Sequence, residues 1–168
     1  MPAVFHTTEA IVQLAAPRLA ALIQAAEQEP LRRSRICLHQ SPSDLTQEMI
    51  IALCRDSYIA PHRHRGKSES FHMIQGELDV VFFDDRGGIT QVVSLGPPQG
   101  DRPFLYRLSA PYWHTVLVKT AVAVFHETTT GPFVQGAGDA ALWAPAPDDT
   151  EAVSRFMQRC REQLLPAR

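Results

Sequence analysis

Lysine is nearly absent from this 168-residue chain: apart from Lys67 and Lys119, all of its 16 basic residues are arginine. Charge of either sign is equally scarce in excess, since 16 basic residues face 18 acidic ones for a net charge of -2. Such a chain has no electrostatic case for duplex nucleic acid or an anionic membrane surface. Arginine is the better fork for carboxylate and phosphate, so a small anionic ligand stays open. Cysteine is limited to Cys37, Cys54 and Cys160. The odd count and the lack of a Cys-x-x-Cys pair exclude a complete disulfide framework and a zinc ribbon. Cys37 and Cys54 lie in apolar runs and read as buried small hydrophobes. No apolar run approaches the ~20 residues of a membrane span. The first basic residue, Arg18, follows Glu9 and Pro17, unlike a secretory leader. There is no Gly-x-Ser-x-Gly nucleophile turn and no Gly-x-x-x-x-Gly-Lys phosphate loop. The expectation is a reduced, soluble, cytoplasmic protein with a small-molecule partner and neither nucleic acid nor membrane.

Globular composition is present, with 45% hydrophobic and 20% charged residues. The length suits one domain able to bury a core without disulfides. Leu19, Leu22, Ile23 and Ala26 repeat at helical spacing between Pro17 and Pro30, which predicts a helix over about 17–28, with a turn or short helix before it. From residue 35 the texture becomes strand-like. Runs at 35–39, 49–54, 77–83, 89–93, 104–108, 113–119 and 121–127 read as short strands, and 84–88 is a glycine-containing hairpin loop. Their spacing predicts a mainly β antiparallel sandwich or barrel. The prolines of Trp143-Ala-Pro-Ala-Pro predict an extended connector. Asp149 or Thr150 then caps a helix to about Leu165, with Val153, Phe156, Met157, Cys160 and Leu164 as its apolar stripe.

The histidines carry the chemistry. His62 and His64 are two apart, so on a strand both imidazoles face one side. After a turn through Arg65, Gly66 and Lys67, Glu69 meets the same pair, and His114 closes the group from a neighbouring strand. Imidazole and carboxylate together suit one divalent first-row ion such as Fe, Mn, Ni or Zn. Three histidines and one carboxylate leave about two positions open on a six-coordinate ion. Gly76 falls at the next hairpin corner, where positive φ is useful. His72 is three residues from Glu69 and is expected on the opposite face. His126 and Glu127 are adjacent, so one of the two faces the interior, where it would move a proton or contact substrate beside Tyr106. Lys67 is a further candidate for proton transfer. Arg33, Arg35 and His39, with Lys67, are candidates for an anion-binding rim.

His62-x-His64, four residues, Glu69, six residues, Gly76 resembles the first cupin motif, with Asp56 where its upstream glycine is expected. The second motif is represented by His114, with Ser109 and Pro111 for its Pro-x-Gly and Val118 for its later asparagine. The segments at 31–39, 62–76, 82–85, 113–114, 125–133 and 143–145 together resemble the WbuC-type cupin-fold metalloproteins associated with O-antigen gene clusters. That resemblance implies a cupin jelly-roll barrel over 31–145, an N-terminal helical segment over 1–30 packed on it and a C-terminal helix within 146–168. It also implies one metal per chain held by His62, His64, Glu69 and His114, and a homodimer. It leaves the reaction open. The readings are a metal-dependent isomerase or epimerase acting on a sugar or sugar-derived molecule, an Fe-dependent dioxygenase, or a non-catalytic ligand-binding or sensing module.

Overall fold

The computed structural model describes residues 4–134 and 138–164. Its strands are β1 (Val4–His6), β2 (Arg33–Cys37), β3 (Thr46–Cys54), β4 (His62–Arg63), β5 (Glu69–Gln75), β6 (Leu78–Phe83), β7 (Ile89–Leu95), β8 (Leu105–Leu108), β9 (Trp113–Val118), β10 (Val122–Thr130) and β11 (Asp139–Ala140). Two helices, α1 (Ala16–Gln28) and α2 (Thr150–Gln163), flank them. One sheet runs β1-β2-β3-β10-β5-β8 and the other β11-β4-β9-β6-β7. Every strand pair is antiparallel except β1 with β2. The two sheets face one another as a jelly roll, the barrel expected from the spacing of the strand-like runs.

The strand pattern explains the layering. On β6, Leu78, Val80 and Phe82 point into the barrel core with Phe71, Phe125 and Val116. Val81 and Phe83 point outward and are also buried, because Phe156, Met157 and Cys160 of α2 cover them. A strand covered on both faces loses the polar alternation of a half-exposed one. On the other sheet, Ile36, Ile50, Ala52 and Val124 turn outward beneath Leu22 and Ala26 of α1. Both helices use the predicted stripes, and Asp149 caps α2 by accepting from the Ala152 amide at 3.0 Å. Leu165, the predicted end of α2, lies outside the described residues. Cys37, Cys54 and Cys160 are buried free thiols.

Three features differ from expectation. The segment before α1 contains no helix among its described residues; Val4–His6 adds instead as a parallel strand to β2, too short to leave a period. The connector after Trp143 is folded into turns, with the Ala144 amide donating to the Ala141 carbonyl and Asp149 to Ala146. Trp143 anchors it against Phe83 at 5.1 Å between ring centroids. The third is β11, whose two residues extend the second sheet beside β4. No helix among the described residues is long and apolar enough to cross a membrane.

Candidate metal centre

His62 begins β4 and lies directly opposite His114 on β9. His64 follows two residues on, and Glu69 opens β5 in the facing sheet after a turn in which Gly66 takes a φ of 67°. The four side chains converge, with one donor atom from each lying within 4.8 Å of the others. Donors sharing one ion at about 2.1 Å are about 3–4.2 Å apart, so the cluster is near the size of a first coordination shell. The imidazole centroids are 4.5 Å (His62–His114), 4.9 Å (His62–His64) and 5.6 Å (His64–His114) apart.

Backbone contacts set the tautomers. Nδ1 of His62 lies 2.9 Å from the Ala60 carbonyl, and Nδ1 of His114 lies 2.9 Å from that of Tyr112. A nitrogen facing a carbonyl oxygen must donate, which leaves Nε2 as a lone pair in the neutral ring. His114 Nε2 then faces Glu69 Oε1 at 3.1 Å, and His64 Nε2 faces Glu69 Oε2 at 3.4 Å. His114 and Glu69 are only 1% and 3% exposed, and neither His114 Nε2 nor Glu69 Oε1 has a hydrogen-bond partner. A lone pair against a carboxylate in a dry interior is costly unless a proton or cation lies between them. The donor set and these orphaned atoms fit a divalent transition ion.

Electrostatics agrees. Burial pushes the Glu69 carboxyl up, but His114 and His64 outweigh it and draw it down to about 2. Burial, then the neighbouring His114, pulls His62 down to about 4. Burial also pulls at His114, yet Glu69 overcomes it and holds this imidazole above its ordinary value. The folded chain keeps His62 neutral to about pH 4, whereas the unfolded chain protonates it near 6.5. Its contribution to stability is complete above pH 6.5 and is lost as pH falls toward about 4. Metal-free wild type is therefore expected to lose melting temperature across that window relative to His62→Gln, in which the titration is gone. Parallel pH profiles for the two proteins would contradict a buried neutral imidazole. Metal affinity follows the same sign, since ligand histidines must be neutral.

A clamp on the outside holds the short β4. Arg63 and Arg65 alternate with the two histidines and so point away from them. Their Nε atoms donate to the same Asp139 Oδ2, at 2.7 and 2.8 Å. Arg63 also stacks on Trp113 at 4.1 Å, and Trp113 donates to Asp85 Oδ1 at 2.9 Å. Asp139 thus ties β11 to the histidine strand from 76 residues away. Asp139→Asn is expected to weaken metal affinity about tenfold while the four ligands stay intact, as loss of orienting partners does elsewhere. A chelator competition titration measures this, and unchanged affinity would remove the clamp from the account.

The cluster lies at one end of a cavity of about 410 Å³ inside the barrel. Met49, Ile51 and Leu53 of β3, with Ile59 and Phe71, form an apolar belt around it. Glu127 lines this cavity as well. On β10, Phe125 and Glu127 share the inward parity, opposite Ile51 and Met49, while His126 points to the outer face. His126 Nε2 lies 3.5 Å from Glu48 Oε1, outside the barrel interior. The pair that the sequence left open is thereby resolved, with Glu127 inside. Burial, and then the charge of Glu69, push its carboxyl up to about 8 against the pull of Arg35 and His114. At neutral pH it is mostly protonated, a carboxylic acid close to the cluster.

The remaining candidates divide. Arg33 and Arg35 line the cavity from β2, in register with Leu53 and Ile51. Tyr106 is buried near Glu69, and its hydroxyl lacks a partner; burial, then Glu69, push its pKa up. Lys67 is turned aside, its Nζ donating to the Pro132 carbonyl at 2.6 Å. His39 closes the β2–β3 hairpin, its Nδ1 lying 3.0 Å from the Glu48 carbonyl and 3.1 Å from the Glu48 amide. Neither Lys67 nor His39 lines the cavity. His72 is exposed on the outer face beside Phe104, as its parity predicts. Asp56, in the place of the motif glycine, pairs with Arg32 at 3.1 Å on the surface.

A family model described as a domain of unknown function, DUF6016, matches residues 14–95, just under half of the chain. No curated protein matches the sequence. Among solved structures, a protein from Shewanella oneidensis aligns with a TM-score of 0.54 at 11% identity over 73% of this chain and 84% of its own. A cupin superfamily protein from Desulfitobacterium hafniense aligns at 0.48 and 18% identity over 65% and 86%. Procruciferin, an 11S globulin from Brassica napus, aligns at 0.45 and 10% identity; this chain covers 57% of itself and 22% of that much longer chain. The strand topology, with the likeness to the Shewanella oneidensis structure, defines the fold as a two-sheet antiparallel jelly roll.

Proposed function

We propose that this chain is a metal-binding cupin of the WbuC type that acts on a small polar or anionic molecule. One observation carries the reading: the three-histidine, one-glutamate cluster lines a partly open cavity large enough for a metabolite. His62, His64, Glu69 and His114 would hold the ion. A divalent transition metal there supplies Lewis acidity to a bound oxygen. Substrate would reach these residues through the cavity that they line.

Glu127 favours an enzyme over a purely sensory module. It is a carboxyl inside the cavity, near enough to the cluster for Glu69 and His114 to act on its charge, and so placed to carry a proton. Its role is to give or take a proton at a substrate oxygen or carbon held over the cluster. Tyr106 holds a buried hydroxyl near Glu69. Isomerisation or epimerisation of a sugar-derived acid fits this pair of parts.

The test is proton exchange. Metal-loaded protein is incubated in D2O with sugar acids and sugar phosphates and followed by proton NMR. The expected result is metal-dependent exchange or isomerisation that falls at least a hundredfold in Glu127→Gln, with metal content unchanged. Binding without exchange in wild type would move the protein to the sensing class.

A further inference from the structure

We propose that the natural ligand is an organic anion with three parts: an oxygen-donor head for the metal, an apolar body, and a second anionic group held by Arg33 and Arg35. This rests on the cavity being the ligand site. It goes further by assigning the end of the cavity away from the cluster.

The register of the first sheet supplies the geometry. On its inner face, Arg35 lies opposite Ile51, Ile51 opposite Phe125, and Phe125 opposite Met73. One row along, Cys37, Met49, Glu127 and Phe71 follow in the same order. The arginine strand is therefore separated from β5, where Glu69 sits, by two intervening strands. Strands are spaced about 4.8 Å apart, so the three steps span about 14 Å. Between these ends the wall is mostly apolar, built from Met49, Ile51, Leu53, Ile59 and Phe71, with Glu127 the polar group between Met49 and Phe71.

The arginines are available for a ligand. Arg33 makes one long contact, 3.4 Å to the Tyr58 carbonyl, Arg35 meets the Cys37 thiol, and neither guanidinium forms an ion pair among the described residues. Elsewhere on the chain Arg32, Arg63, Arg65, Arg102 and Arg155 all do. Glu29, Glu69 and Glu127 also line the cavity, yet none lies within ion-pair distance of either guanidinium, so both forks are left for a carboxylate or phosphate. A neutral hexose would face the apolar belt with hydroxyls left unpaired, a costly arrangement.

The test uses metal-loaded full-length protein and two series of probes. One is the α,ω-dicarboxylates from four to eight carbons. The other is the phosphonocarboxylates of matching lengths. Titration calorimetry is expected to find an optimum length in at least one series, with affinity at least tenfold above the monocarboxylate of that length. The series that binds more tightly identifies the anion as carboxylate or phosphate. Arg33→Met/Arg35→Met is expected to remove the tenfold advantage while metal content stays at the wild-type level. If the double variant does not fold, Arg35→Gln, at an exposed position, carries the same comparison. Equal binding of mono- and dianions, unchanged affinity in the arginine variants, or no binding of any probe would overturn the proposal. Absent metal in the wild type, with arginine-dependent binding retained, would instead remove the metal reading and leave the anion end standing.

Discussion

Gly76→Ala is expected to destabilise the protein by about 3 kcal/mol or more, lowering the melting temperature by roughly 6–12 °C. Two effects add. Gly76 joins β5 to β6 with a φ of 74°, where an L side chain costs about 1–2 kcal/mol. A Cβ there would also press into the Val122 carbonyl oxygen and lie 2.6 Å from Thr120 Oγ1. Thr120 cannot easily move, since its hydroxyl donates to that carbonyl at 2.7 Å and accepts from the Glu77 amide at 3.0 Å. This corner joins the two sheets, so strain is carried into β10 and thence to Glu127. Thermal unfolding followed by circular dichroism measures the effect. Gly66→Ala is the control: it shares the positive φ but has no atom within 4 Å of the added carbon, so only the backbone cost of about 1–2 kcal/mol applies. Equal losses in the two variants would mean that the close packing at Gly76 is not what demands glycine.

Glu69→Ala is expected to reduce metal occupancy to below about a tenth of wild type, more than Glu69→Gln does. Glu69 is the one carboxylate in the cluster, ionised at all working pH values because its pKa is drawn down to about 2. That charge would offset part of the desolvation of a divalent ion brought into so buried a site, beyond what three neutral imidazoles supply. Glutamine keeps the shape and an oxygen donor, so it isolates the charge. The consequence is also visible without elemental analysis. Added metal stabilises wild type in proportion to the logarithm of its concentration over Kd, and that melting-temperature gain is expected to vanish in the alanine variant. A gain of the same size in Glu69→Ala would place the ion elsewhere.

Much of this was readable from local patterns. The two-residue spacing of His62 and His64, the return to Glu69 and the positive φ of Gly76 are properties of a strand and its turns, and short spacing encodes them. The stripes of α1 and α2 are equally local. The cavity was harder to read. Arg33 and Arg35 enter it because β2 pairs with β3 in a register that sets them beside Leu53 and Ile51. Lys67 and His39 looked equivalent by composition, but backbone partners at Pro132 and Glu48 hold them away. Glu127 and His126 differ only in parity, and parity needs the register to become a direction. Asp139 gave no signal at all. It lies far along the chain from Arg63 and Arg65, and only the pairing of β11 with β4 brings it to them.

The most direct test of the central claim is the metal content of wild-type protein and His64→Ala, both purified without a metal-binding tag and measured by elemental mass spectrometry. His64 suits this test because its side chain is 28% exposed, more than those of Glu69 and His114, so its removal disturbs the core least. The account predicts about one divalent transition ion per chain in wild type, lost in the variant while its fold is retained. Wild-type protein that takes up no ion after reconstitution with Fe, Mn, Ni and Zn, or a variant that keeps its ion, would contradict it.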